Sequence, residues 1–147
     1  MEMKNIFQQI YKEIHIRPLI VASLGDPGRL IPDARKAHRD GADILEIRVD
    51  ALAVKERARI EEILEEVRRA ASLPLIGTVR CPQEQGTRSG LFRLDDGERA
   101  SLFERIIPLV DFVDVELRSS SINSAVVKQA HQMGIKVILS RLDSVPT

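Results

Sequence analysis

Strand-like and helix-like patterns alternate along almost the whole chain, and that alternation restricts the fold more than any other feature. Residues 18–24 read as a buried strand that ends at Gly25-Asp26-Pro27-Gly28. The spacing predicts a helix around residues 31–40, with Gly41 as its stop. A second strand covers 44–49. An amphipathic helix covers 57–71, where Ile60, Ile63, Leu64 and Val67 recur at helical spacing among charged residues. Strands three to five fall at 75–79, 112–117 and 136–139, separated by helices near 96–107 and 121–132, the latter stopped by Gly134. An N-terminal amphipathic helix over 3–14 carries Ile6, Ile10 and Ile14. Regular alternation of this kind predicts an α/β fold, a parallel sheet covered by helices.

Two architectures satisfy that pattern, an open doubly wound sheet or part of a (β/α)8 barrel. No G-x-G-x-x-G follows strand one, which weakens a dinucleotide-binding reading. The sequence supplies about four and a half β-α units, whereas a full barrel takes about 200 to 250 residues. On the barrel reading this is a partial (β/α)8 TIM barrel, roughly half of one, forming a single domain over 1–147 with 1–16 as an N-terminal extension. A chain of 147 residues buries one substantial core. Basic and acidic residues number 22 each, so no global charge pulls the chain toward nucleic acid or an anionic membrane. Its single cysteine, Cys81, suits a reducing cytoplasm. No apolar run approaches the roughly 18 residues of a membrane span, and the first residues do not form a signal peptide's apolar core.

The stretch Ile44-Leu45-Glu46-Ile47-Arg48-Val49-Asp50 is apolar with charge at every second position. On a strand, Glu46, Arg48 and Asp50 share one face and Leu45, Ile47 and Val49 the other. Charges on an otherwise buried strand are costly unless they are paired or hold a ligand. In both parallel architectures sites form at the C-terminal strand ends. Polar residues gather there: Ser23, then Glu46 and Arg48, then Thr78-Val79-Arg80-Cys81 with Glu84 in the following loop, then Asp114 and Glu116, then Ser140. Arginines so placed can orient a hydroxylated carboxylate, because the guanidinium fork matches carboxylate geometry. The plainer alternative is an internal ion network of Glu46 with Arg48 and Arg80. A sugar-phosphate isomerase lacks support, since no glycine-rich phosphate loop appears where such a barrel would place one.

Four ordered motifs carry a resemblance to a known family. Glu46-Ile47-Arg48-Val49-Asp50 is similar to the E-x-R-x-D strand of type I 3-dehydroquinate dehydratases. Thr78-Val79-Arg80 followed by Glu84-Gln85-Gly86 resembles the family's R-x-x-x-E-G-G segment, with Gln85 where the first glycine often stands. Residues 111–117 resemble the fourth-strand pattern D-x-x-D-x-E-L, and 18–24 the first strand, with Ser23 at its serine. The resemblance implies a (β/α)8 barrel of the shikimate pathway that dehydrates 3-dehydroquinate to 3-dehydroshikimate with no metal and no cofactor. A lysine forms a Schiff base with the substrate ketone, and a histidine moves the proton. Carried over, Glu84 matches the glutamate that orients the histidine, and Ser23, Glu46, Arg48 and Arg80 match substrate-binding positions.

The departures are as specific. The family's S-x-H-D-F-x-x-T-P reads here as Ser140-Arg141-Leu142-Asp143-Ser144-Val145-Pro146-Thr147, placing Leu142 at the histidine. His15, His38 and His131 fall before strand one or on helices. The Schiff-base lysine belongs to a sixth strand that is absent, and Lys136 begins strand five at the wrong end. The resemblance therefore implies a truncated chain that is inactive alone, with a non-catalytic module binding a quinate-like hydroxy acid as the alternative. Half a barrel leaves strands one and five as unpaired edges, so a homodimer through those edges is one expected outcome.

Overall fold

The computed structural model describes residues 3–85 and 93–142. Five strands form one parallel sheet in the order of the sequence: β1 (Val21–Leu24), β2 (Ile44–Arg48), β3 (Leu75–Thr78), β4 (Phe112–Glu116) and β5 (Lys136–Ser140). Helices α1 (Met3–Ile14), α2 (Leu30–Arg39), α3 (Val54–Ala58), α4 (Ile60–Ala71), α5 (Asp96–Ile106) and α6 (Asn123–Gln132) alternate with them. Among the described residues β1 and β5 are the sheet's edges.

Local chemistry sets most boundaries. Gly41 and Gly134 follow α2 and α6 with φ of 96° and 72°, the left-handed turn that glycine makes without steric cost. Asp95 accepts the Glu98 amide at 2.8 Å while Glu98 accepts the Asp95 amide at 2.9 Å, a reciprocal cap that starts α5. Two elements differ from expectation. Strand one is shorter than 18–24: Asp43 intervenes, its carboxylate accepting the Ile20 amide at 2.8 Å and its own amide donating to the Ile20 carbonyl at 2.8 Å. The helix expected over 57–71 is two helices, broken at Arg59, where φ reaches −112°.

The sheet has two unlike faces. Toward α2–α6, Leu45, Ile47, Val113 and Val115 meet Leu64, Phe103 and Ile106 in a core that water does not reach. Gly77 permits the close seating of α5: a Cβ there would lie 2.8 Å from Ile106 Cδ1. On the inner face, turned away from those helices, Ile44, Ile76 and Phe112 form a second apolar cluster near the N-terminal strand ends, with Ile10 of α1, Leu19 and Ile138 packed against it. Farther along the same face the residues become charged. Because side chains alternate, Ile44, Glu46 and Arg48 share this face, as do Phe112, Asp114 and Glu116. The inner face is therefore greasy at its floor and ionic at its rim.

Candidate active site

Register brings the rim residues together. Ser23 pairs with Glu46, Arg48 with Thr78, Thr78 with Asp114, and Glu116 with Ser140. Arg80, just past the end of β3, is the hub. One of its terminal nitrogens donates to Asp114 Oδ1 at 2.9 Å and to Ser140 Oγ at 2.9 Å, with Glu116 Oε1 at 3.5 Å; the other lies 3.6 Å from Glu46 Oε1. Ser140 in turn donates to Asp114, and Thr78 Oγ1 donates to Glu46 at 2.8 Å. Arg48 is held by Asp50 through two parallel bonds, Nε to Oδ1 at 3.0 Å and a terminal nitrogen to Oδ2 at 2.8 Å. Asp50 lies in a tight turn (Val49–Ala51) rather than on the strand with Glu46 and Arg48, which corrects the expectation of three charges on one strand face.

Behind this rim Glu116, fully buried, accepts from the Cys81 amide at 2.7 Å, Arg99 at 2.6 Å and Ser119 Oγ at 2.9 Å. Burial works against its ionisation. The Cys81 amide, the Arg99 charge and Ser119 outweigh burial and hold the carboxyl below its ordinary pKa. Arg99 is also fully buried, and it donates twice to the Val79 carbonyl, at 3.0 and 2.9 Å. Burial, reinforced by the nearby Glu116 and Glu84 charges, pushes the Cys81 thiol up.

Glu84 sits beside this group, its carboxylate within 4.8 Å of a Glu116 oxygen and of the Cys81 sulfur. Arg118 Nε lies 2.7 Å from Glu84 Oε1, an ion pair outside hydrogen-bond geometry, so both Glu84 oxygens are buried without a hydrogen-bond partner among the described residues. Arg80 Nε and Gln85 Oε1 share that condition. All four such atoms fall on residues 80–85, where the rim meets the loop after β3. Cys81, Glu84 and Glu116 have the spacing of cation ligands, but Glu116 is already neutralised by Arg99 and the Cys81 thiol resists ionisation, so the set is a poor metal site.

Of the residues singled out from sequence, Glu46, Arg48, Arg80 and Glu84 converge on this rim. Ser23 lies at the β1 edge, lining a groove with Arg48, Gly25 and Ala51. Leu142 follows β5 and is half exposed. Gly86 and residues 143–147 lie outside the described residues. Lys136 is at the opposite end of the sheet, its ammonium 4.6 Å from the centre of the Phe7 ring. His15 stacks edge-on against Tyr11, His38 lines the groove beneath α1, and His131 is exposed on α6, so no imidazole reaches the rim. Sequence reasoning passed over Asp50 as a site residue and missed Arg99 entirely. Arg99 was detectable, since it shares a helix stripe with Leu102, Phe103 and Ile106.

A sequence model of the family described as type I 3-dehydroquinase matches residues 26–147. The 3-dehydroquinate dehydratase of Methanobrevibacter smithii is 38% identical over 114 residues, covering 78% of this chain and 46% of that protein. The Aquifex aeolicus enzyme of the same name is 32% identical over 122 residues, covering 83% and 52%. Its crystal structure superposes with a TM-score of 0.68 at 33% identity, over 84% of this chain and 53% of that one. The type I 3-dehydroquinate dehydratase of Clostridium difficile, solved with covalently modified comenic acid, gives 0.74 at 30% identity, over 85% and 51%. The chain spans about half the length of the relatives it matches.

Proposed function

Because the chain belongs to the type I 3-dehydroquinase family, we propose that its ionic rim is the substrate wall of a 3-dehydroquinate dehydratase site. The observation that carries this reading is the Glu46–Arg80–Asp114 network at the C-terminal strand tips. Arg80 already faces Glu46 and Asp114, so its remaining capacity suits a ring hydroxyl better than another anion. Among the described residues Arg48 forms its close ion pair with Asp50 alone and is partly exposed, which suits the substrate's own carboxylate. Ser23, opposite Glu46 in register, adds a hydroxyl to the wall.

The expected reaction is loss of water from 3-dehydroquinate by way of a lysine Schiff base, with a histidine carrying the proton and Glu84 orienting that histidine. Leu142 stands at the histidine's position and holds no proton, and Lys136 lies at the far end of the sheet. These 147 residues by themselves are therefore expected to bind substrate without dehydrating it. Calorimetry with 3-dehydroquinate tests the wall: heat with the natural chain and about tenfold weaker binding by Arg80→Gln support it. Silence at millimolar ligand ends the reading. A lysine adduct trapped by borohydride, together with a growing enone absorbance, overturns the inactivity alone.

A leucine, Leu142, where the resemblance puts the histidine favours one second reading, a non-catalytic module for a quinate-like hydroxy acid. Quinate, which lacks the ketone, then binds as tightly as 3-dehydroquinate. The open edges, where Ile20, Val21 and Leu139 are exposed, pair with a second copy in the cytoplasm, and balanced charge gives nucleic acid no hold. Sedimentation at monomer mass across the micromolar range overturns the dimer. No helix among the described residues is long and apolar enough to cross a membrane.

A further inference from the structure

Past Thr78 the chain leaves the sheet, and its next amides lose their strand partners. Two buried carboxylates receive them: Asp50 Oδ1 takes the Arg80 amide at 2.9 Å, and Glu116 Oε1 takes the Cys81 amide at 2.7 Å. Asp50 does more than close this gap. The Oδ1 atom that accepts the Arg80 amide also accepts Arg48 Nε at 3.0 Å, while Oδ2 accepts the Arg48 fork at 2.8 Å and lies 3.5 Å from Gln85 Nε2. The turn that carries Asp50 is closed by its own backbone bond, Leu52 amide to Val49 carbonyl, and asks nothing of the carboxylate. All four donors on Asp50 therefore come from the two arginines and the residue that follows Glu84. Only 2% of Asp50 is exposed, so this arrangement sits in a medium where a displaced charge is expensive.

We infer that Asp50 is a positioning residue that fixes the Arg48 guanidinium relative to the Arg80 backbone, and so sets the separation between the two arginine heads that a ligand must span. This rests on the reading of the rim as a wall for a hydroxylated carboxylate. Asp50 touches no ligand in this scheme; it acts through Arg48 and Arg80. A ligand whose acid and hydroxyl groups match that separation binds, and one with the same groups farther apart does not.

The test compares Asp50→Asn, Arg48→Gln and the double variant by calorimetry with quinate. Asparagine keeps the shape and one acceptor for the Arg80 amide but turns an NH2 toward the Arg48 fork. Affinity is expected to fall about tenfold in Asp50→Asn, and by less than twofold further when the substitution is added to Arg48→Gln. Unchanged binding, or penalties that multiply in the double variant, overturns the inference. Nitrogen-15 spectra of the ligand-free chain decide independently: the Arg48 Nε–H and Arg80 amide resonances should both move in Asp50→Asn, and their staying in place overturns the inference. If the natural chain takes up neither quinate nor 3-dehydroquinate, the wall reading falls while these resonances still decide the role of Asp50. Should Asp50→Asn fail to fold, Asp50→Ser, which retains one acceptor, is expected to show the same losses.

Discussion

Replacing Arg99 by methionine probes a fully buried charge. Arg99 is wholly inaccessible, and its guanidinium is shared among the Val79 carbonyl, Glu116, Ser119 and Asp96. Methionine fills much of the same volume, so the loss is chiefly electrostatic. Breaking a buried pair on one side costs about 3–5 kcal/mol, because the partner charge is left uncompensated. Here Glu116 keeps the Cys81 amide and the Ser119 hydroxyl, which places the expectation at the lower end, about 3 kcal/mol. Adding Glu116→Gln removes the stranded charge and should restore about 1–2 kcal/mol, leaving the Val79 carbonyl without its donors as the residual cost. Urea unfolding of the natural chain, both single variants and the double variant measures each quantity. The pH dependence carries a sign. A carboxyl held below its ordinary 4.5 in the fold stabilises above that value, and the contribution is lost as pH falls through the folded pKa. Without Arg99 that depression shrinks, so the gap between natural chain and variant should narrow on acidification. A cost under about 1 kcal/mol, additive single effects, or a gap that widens in acid would refute the pairing argument.

Asp43 is held down to about 2 by Arg17 and the Ile20 amide, against an ordinary 3.8. Its contribution should be nearly complete above pH 4 and be lost as pH falls through about 2, a dependence that Asp43→Asn removes from an acid titration of stability. Gly77→Ala is expected to destabilise by about 1–3 kcal/mol through overpacking against Ile106 Cδ1. Ile106→Val, which deletes that methyl, should recover part of the loss in thermal unfolding, and absence of recovery would assign the cost elsewhere.

How much of this was legible in the sequence varied with the kind of interaction. The bounds of α1, 3–14, followed from one periodic stripe, and strands two to five appeared within a residue of their bounds, two and four through alternating charge and three and five as short apolar runs. The break at Arg59 was not legible, since both flanking segments carry helix-forming residues and neither glycine nor proline marks the join. Glu46 and Arg48 stood out because charge on a buried strand is anomalous, and Arg80 because it lies at a C-terminal strand end. Asp50 was placed on the strand with them. Its bond to the Arg80 amide depends on how the chain turns after Arg48, a three-dimensional fact that periodicity does not encode. Arg99 passed as one more charged residue on a helix, although its stripe-mates Leu102, Phe103 and Ile106 mark the buried face it shares.

The order of the strands has a bearing on how the protein is made. Each strand pairs with the next one in the sequence, and every closure joins positions 23 to 36 residues apart. Pairing each strand with its sequence neighbour keeps every loop-closure cost modest, while parallel pairing itself stays slower than local helix formation. During synthesis each new β-α unit can dock on the one before it as soon as it clears the ribosome, with no wait for a distant partner.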